Sequence, residues 1–85
     1  GGYAEGVYVV DTLAYVADGG DGLRVINVSN PGSPSEIGFY DTGGYAYGIY
    51  VVDTLAYVAD RYGGLRLINA SNPTSPSEIG FYDTG

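Results

Sequence analysis

The sequence is one 42-residue unit written twice, and this repeat constrains the fold more than any other feature. Residues 2–43 form the first copy and residues 44–85 the second, and only eight of the paired positions differ. Internal repeats with periods of about 20 to 50 residues are typical of solenoids, propellers and arrays, whose units complete their core against neighbours. The sequence therefore predicts two equivalent structural units that need further partners.

Each copy contains four short segments rich in β-branched and aromatic residues, and no helical periodicity of useful length. In the first copy these predicted strands are residues 3–10, 13–17, 23–28 and 36–40. Turn-forming residues separate them, including the two prolines of residues 29–35, which cannot donate ladder hydrogen bonds. Ala4 and Gly6 on the first strand are small enough to let a neighbouring sheet approach closely.

Four antiparallel strands per 42 residues correspond to one propeller blade, so the fold class predicted is all-β with two blades per chain, 2–43 and 44–85. A flat eight-stranded sheet or a small sandwich is the alternative. Both alternatives require one polar face on each strand, and the first three strands are largely apolar on both faces. Sandwiches also rarely carry so literal a repeat.

The segment Leu23-Arg24-Val25-Ile26-Asn27, preceded by Ala14-Tyr15-Val16-Ala17-Asp18, resembles the LVIVD repeat of bacterial and archaeal surface proteins. The second copy carries the same pattern at residues 65–69. The resemblance implies a β-propeller and an extracellular or cell-surface location, and it supplies no catalytic residue. The sequence departs from the family pattern at Arg24 and Arg66, where valine is usual, and at Asn27 and Asn69, where aspartate is usual.

Composition excludes several classes of function. The net charge of −7 disfavours nucleic acid and anionic membranes as partners, and no apolar run is long enough for a membrane span. Histidine, cysteine and lysine, the commonest catalytic bases and nucleophiles, are absent from the sequence. We therefore expect no catalytic residues and no cofactor, and the chain is not expected to be an enzyme. A carboxylate-based hydrolase centred on Glu5 is a weaker alternative, because Tyr47 replaces Glu5 in the second copy.

The acidic turn 18–22 raises the question of a metal site. Asp18 and Asp21 could offer oxygens to a calcium ion, but their spacing is not that of an EF-hand, and Gly63 replaces Asp21 in the second copy. Capping of local backbone donors by Asp18 and Asp60 is the favoured interpretation, so no metal site is predicted.

Arg24 and Arg66 lie mid-strand between apolar neighbours, where an unpaired charge would cost several kcal/mol. Each is expected to form a structural ion pair with a carboxylate of the same or the next blade, and Asp18 and Asp60 are the predicted partners.

Half of the differences between the copies fall where one face of a propeller disc is expected: the entry to the first strand and the loop between the second and third strands. They predict a candidate binding face whose members are Glu5, Tyr47, Asp21, Arg61 and Tyr62. Neutral variation at tolerant loop positions explains the same pattern.

The favoured function is self-assembly. Two blades with apolar faces predict head-to-tail association into a closed ring, with a homotetramer of eight blades preferred over a homotrimer of six. Near-identical copies, the absence of methionine and the Gly1-Gly2 start favour an engineered, recombinant chain. The alternative is a cell-surface module that binds a protein or a glycan through the candidate binding face.

Overall fold

The computed structural model describes residues 4–61 and 64–82, which form two four-stranded antiparallel sheets. Blade 1 contains β1 (Gly6–Val10), β2 (Leu13–Ala17), β3 (Leu23–Asn27) and β4 (Ser35–Tyr40). Blade 2 contains β5 (Ala46–Val52), β6 (Leu55–Asp60), β7 (Gly64–Asn69) and β8 (Ser77–Tyr82). The strands of each blade pair in chain order, so each sheet is a meander. The predicted all-β architecture with four antiparallel strands per copy is confirmed.

Turn chemistry fixes the first hairpin of each blade. Asp11 and Asp53 have φ values of 55° and 54°, in the left-handed region that aspartate tolerates better than most residues. Each hairpin is tied to the residue that follows the third strand, because the carbonyl of Thr12 accepts a hydrogen bond of 2.8 Å from the N–H of Val28. Thr54 accepts the equivalent bond from Ala70 at 2.8 Å.

The two sides of each blade have different roles. We call the side of blade 1 that carries Tyr15, Leu23 and Val25 its front face, and the side that carries Ala14, Val16 and Ile26 its back face. The same strand register gives blade 2 a front face with Tyr57 and Leu67 and a back face with the residues Ala56, Val58 and Ile68.

The core lies between the front face of blade 1 and the back face of blade 2. Its buried members are Tyr15, Ala17, Leu23 and Val25 from blade 1, with Ala46, Val51, Ala56, Val58, Ile68 and Ala70 from blade 2. The residues that a blade buries therefore depend on which of its faces meets the other blade. The packing is head to tail, since unlike faces of two equivalent units are in contact.

The two blades approach each other closely at Gly38, on the outer strand β4. A Cβ atom added there would collide with the backbone carbonyl of Pro73, in the proline loop of blade 2. At Gly6, which the sequence singled out, an added Cβ would lie 3.5 Å from the Tyr47 carbonyl oxygen, an ordinary contact. The second blade therefore does lie in van der Waals contact with β1 at Gly6, and the proline loop of blade 2 approaches β4 more closely still.

Burial in this core raises the pKa of the Tyr15 hydroxyl, because the phenolate would lose its hydration. The folded state holds the proton more tightly than the unfolded chain, so this contribution to stability is intact below pH ~10 and is lost as the pH rises further. Tyr15→Phe is expected to make alkaline unfolding less steep, as measured by melting temperature between about pH 8 and 11. Tyr82→Phe, at an exposed position, is the control and should keep the native steepness. Equal slopes for the native chain and Tyr15→Phe would contradict this account.

Candidate functional site

The structure brings part of the predicted binding face together around Arg61 and Tyr47. These two residues line a cavity of about 250 Å³ with Ala59, Asp60, Gly64 and Leu65, on the front face of blade 2. The register of β5 and β6 shifts between Ala46 and Gly48, so Tyr47 is the extra residue of a β-bulge. Bulges redirect side chains at the ends of strands, and this one leaves Tyr47 half exposed at the cavity.

Glu5 joins this region through a residue that the sequence did not single out. The hydroxyl of Tyr45 donates a hydrogen bond of 2.9 Å to Oε2 of Glu5. The guanidinium carbon of Arg61 lies 5.4 Å from the centroid of the Tyr45 ring, a cation–π distance. Tyr45 thus contacts one predicted residue in each blade. The indication available in the sequence was that Tyr45 lies two residues before Tyr47, a position at which the two copies differ.

Asp60 anchors Tyr45 from within blade 2. This buried carboxylate accepts a hydrogen bond of 2.8 Å from the backbone N–H of Tyr45 through Oδ1. Gly44 leaves room for this carboxylate, because an added Cβ would collide with it in its present position. Asp60 therefore caps the segment entering β5. In blade 1, backbone atoms of Asp18 close the turn: its N–H donates to Gly22 at 2.8 Å and its carbonyl accepts from Asp21 at 2.9 Å.

Asp21, a further member of the predicted face, does not line the cavity. Asp21 Oδ1 lies 3.9 Å from a guanidinium nitrogen of Arg24, at the start of β3. Tyr62 lies outside the described residues. Among those residues, no group of three or more acidic side chains could hold a metal ion. Within the same ranges no helix is long and apolar enough to cross a membrane.

The ion-pair partners of the two arginines differ from those predicted. Arg24 pairs with Glu36 at 2.8 Å and Arg66 with Glu78 at 2.9 Å, rather than with Asp18 and Asp60. Each guanidinium also lies over an aromatic ring, 4.8 Å from the Phe39 centroid for Arg24 and 5.0 Å from the Phe81 centroid for Arg66. Each ion pair therefore lies within one blade, between its third and fourth strands.

A β-bulge explains why the glutamates were missed. Val25 pairs with Gly38, but the next residue, Ile26, pairs with Glu36, so β4 contains one extra residue at this point. Because side chains alternate along a strand, this shift moves Glu36 to the side of the sheet that carries Arg24. The same shift occurs between Leu67 and Ile68 in blade 2.

The two ion pairs are expected to contribute unequally to stability. The Glu78 side chain is 16% exposed, whereas that of Glu36 is 43% exposed and its pair is better screened by water. Glu78→Ala should lower the free energy of unfolding by about 1 to 2 kcal/mol, and the matched variant Glu36→Ala by about 0.5 kcal/mol. Urea unfolding at one protein concentration measures both. An equal cost for the two variants would show that the local environment does not set the strength of these pairs.

Near the inner strands, Tyr8 and Tyr50 place their rings 4.8 Å apart at an angle of 54°. A hydrogen bond with Tyr50 raises the pKa of the Tyr8 hydroxyl, with desolvation adding to the effect. The two tyrosines belong to β1 and β5, so this contact joins the inner strands of the two blades.

Two four-stranded meanders, stacked head to tail with their first strands adjacent, define blades of the β-propeller type. The family model of the LVIVD repeat matches residues 1–42 and residues 43–84, and the chain belongs to this family of repeat proteins. No curated protein and no solved structure matches the chain significantly.

Asn27 and Asn69, which stand where the family usually has aspartate, both bind the local backbone. The Oδ1 atom of each accepts a hydrogen bond of 2.9 Å from the backbone N–H two residues further along the chain. An aspartate oxygen can accept the same bond.

Proposed function

We propose that the chain is a self-assembling β-propeller fragment whose role is structural and which has no catalytic activity. Copies associate through the two blade faces that the single chain leaves uncovered: the back face of blade 1 and the front face of blade 2. The near-identity of the copies supports an engineered origin. The absence of histidine, cysteine and lysine, the commonest catalytic bases and nucleophiles, supports a non-enzymatic role.

The observation that carries this proposal is the unequal burial of equivalent residues. Val9, on the back face of blade 1, is 57% exposed, whereas its counterpart Val51 is 4% exposed in blade 2. On the front faces, the residues of blade 1 are more buried than their counterparts in blade 2. Leu23 and Val25 are fully buried in blade 1, and their counterparts Leu65 and Leu67 are only partly buried in blade 2. Each uncovered face is therefore a near copy of one that is already packed within the chain.

The back face of blade 1 and the front face of blade 2 are expected to fit each other, because each nearly repeats a face that is already packed within the chain. Repetition of the contact between blades 1 and 2 is heterologous, and such contacts either close into rings or continue as filaments. Ring closure with two blades per chain requires an even number of blades. Eight blades, from four chains, are preferred because the tyrosines of the first strands, including Tyr8 and Tyr47, thicken the region near the axis and favour a wider ring. Six blades, from three chains, are the runner-up.

Native mass spectrometry tests the proposal directly. For a chain of 8.9 kDa, a closed ring predicts one dominant species of about 36 kDa for the tetramer, or about 27 kDa for the trimer. The control is the same measurement across a hundredfold range of protein concentration, which separates a closed ring from a continuing series. A stable monomer at micromolar concentration, or a concentration-dependent series of oligomers with no dominant closed species, would overturn the proposal.

A second candidate function follows from the cavity beside Tyr47 and Arg61. An aromatic ring and a guanidinium at the edge of a cavity of about 250 Å³ are groups that bind polar ligands, including sugars. The chain would then be a cell-surface module that binds a protein or a glycan. Titration with a panel of oligosaccharides, comparing the native chain with Tyr47→Ala, tests its glycan form. Saturable binding that Tyr47→Ala abolishes would favour this candidate over a purely structural role.

A further inference from the structure

The cavity on blade 2 has a filled counterpart on blade 1. Shifting its lining by one repeat gives the residues Glu5, Ala17, Asp18, Gly19, Gly22 and Leu23. Ala17, Gly19, Gly22 and Leu23 are all buried, whereas Ala59, Gly64 and Leu65 remain partly exposed around the cavity. The same depression of the front face is therefore closed in one blade and open in the other.

Tyr45 and Ala46 close the depression in blade 1. Ala46 forms an antiparallel bridge with Gly19, with two backbone hydrogen bonds of 2.9 Å. The Tyr45 ring lies over Gly19 so closely that an added Cβ would be 3.0 Å from its Cε1 atom. The Tyr45 hydroxyl donates a hydrogen bond to the Glu5 carboxylate. One aromatic residue and its neighbour, at the entry to β5, thus cover the depression of the preceding blade.

We propose that the cavity on blade 2 is the socket for Tyr3 of a second copy of this chain, an inference that rests on the proposed self-assembly. Tyr3 and Ala4 are the counterparts of Tyr45 and Ala46 one repeat earlier. Ala4 of the second copy pairs with the backbone at Arg61, as Ala46 pairs with Gly19, and in doing so it replaces the Tyr45 carbonyl, which accepts a hydrogen bond of 2.8 Å from the Arg61 N–H in the single chain. The socket lies on the front face of blade 2, the same face that the ring requires to be covered.

The differences between the copies alter how this socket holds its tyrosine. Tyr47 stands in place of Glu5, so the carboxylate that accepts the Tyr45 hydroxyl has no counterpart. Arg61 stands in place of Gly19, so its Cβ lies where the Tyr45 ring approaches Gly19 to 3.0 Å, and the Tyr3 ring has to sit a few tenths of an ångström further out, beside the guanidinium at the edge of the cavity. Binding of Tyr3 therefore depends on the aromatic ring, through packing and a cation–π contact, and not on its hydroxyl.

Two variants of Tyr3 test this inference. Tyr3→Ala should raise the concentration at which the ring is half assembled by about tenfold or more, whereas Tyr3→Phe should leave it within about twofold. Native mass spectrometry over a dilution series measures both. Assembly of Tyr3→Ala with native affinity overturns the socket while leaving the proposed function intact. A native chain that remains monomeric overturns both. A loss in Tyr3→Phe as large as that in Tyr3→Ala would show that the hydroxyl is recognised instead.

A disulfide locates the contact, because the native chain has no cysteine. Paired residues of an antiparallel bridge have Cα atoms about 5.5 Å apart, within reach of a disulfide. Oxidised Ala4→Cys/Arg61→Cys should give covalent oligomers up to the full ring. In denaturing, non-reducing electrophoresis the control Ala4→Cys/Ser33→Cys, whose second cysteine replaces an exposed loop residue, should run as a monomer, because its ring is held only by non-covalent contacts. Equal oligomer yields in the two variants, or a monomer in both, would contradict the proposed contact.

Discussion

Replacing Gly38 by alanine is expected to disrupt the packing between the two blades of a single chain and to destabilise the fold. The added methyl group would overlap the backbone carbonyl of Pro73 and lie 3.0 Å from Cα of Thr74. A backbone carbonyl cannot rotate away as a flexible side chain can, so the two blades must separate locally. We expect a loss of about 3 kcal/mol, which is a drop in melting temperature of about 12 to 24 °C for a chain of this size. Circular dichroism melts at one protein concentration measure this effect.

Gly80 provides the matched control, because it is the counterpart of Gly38 and an added Cβ there meets nothing within 4 Å. Gly80→Ala should therefore leave the chain folded. In the proposed ring, however, Gly80 faces the Pro31 carbonyl of the next copy, and the same overlap would occur between chains. The expected result is a folded chain that no longer assembles, seen as native-like circular dichroism with a monomer in native mass spectrometry.

The pair of glycine variants separates folding from assembly. If Gly38→Ala were as stable as the native chain, the close packing of β4 against the proline loop would not limit the fold. If Gly80→Ala assembled like the native chain, the junction between chains would differ from the junction within the chain. Because the stability of a ring depends on protein concentration, all melts must be compared at the same concentration.

Val9→Glu is expected to prevent assembly while leaving the single chain folded. Val9 is 57% exposed in the chain, but its counterpart Val51 is 4% exposed where blade 2 packs on blade 1. In a ring built by repeating that junction, a carboxylate at position 9 would lose nearly all its water without gaining a partner. A cost of about 3 kcal/mol or more per junction weakens each contact by at least about a hundredfold. Native mass spectrometry should then show monomer at concentrations where the native chain forms the ring.

Phe39→Glu is the control for this substitution, since it adds the same charge on the same back face. Phe39 is 55% exposed, and its counterpart Phe81 stays 63% exposed although the back face of blade 2 is packed. The outer edge of the face therefore lies outside the junction. Phe39→Glu should assemble normally, and the new carboxylate would lie near Arg24. Loss of assembly in both variants would indicate that net charge, and not burial at Val9, opposes association.

The local structure of each blade could be predicted from the sequence because it depends on near neighbours. Apolar residues on both sides of a period-two pattern determine a strand with two apolar faces, and Asp11 with Thr12 forms the two-residue turn that joins β1 to β2. The prolines of the 29–35 loop exclude ladder pairing there. The literal repeat then ensures that whatever forms in the first copy forms again in the second.

The candidate site was only partly predictable. Tyr47 and Arg61 were identified because they differ from their counterparts Glu5 and Gly19, and the structure places both at one cavity. Tyr45 was missed because comparison of the copies reveals differences, and Tyr45 is identical to Tyr3. Its importance comes from its contact with the other blade, which no local pattern encodes.

By itself the sequence determined the unit, its four strands and its apolar faces, because these depend on alternation, turn residues and the repeat. Only the tertiary structure decided which partners those units use. A bulge of one residue in β4 moves Glu36 onto the side of Arg24, and strand alternation alone would have placed it on the opposite side. The docking of two identical-looking blades likewise decides that Val51 is buried and Val9 is not, because burial depends on which face meets a neighbour and not on the residue that occupies it.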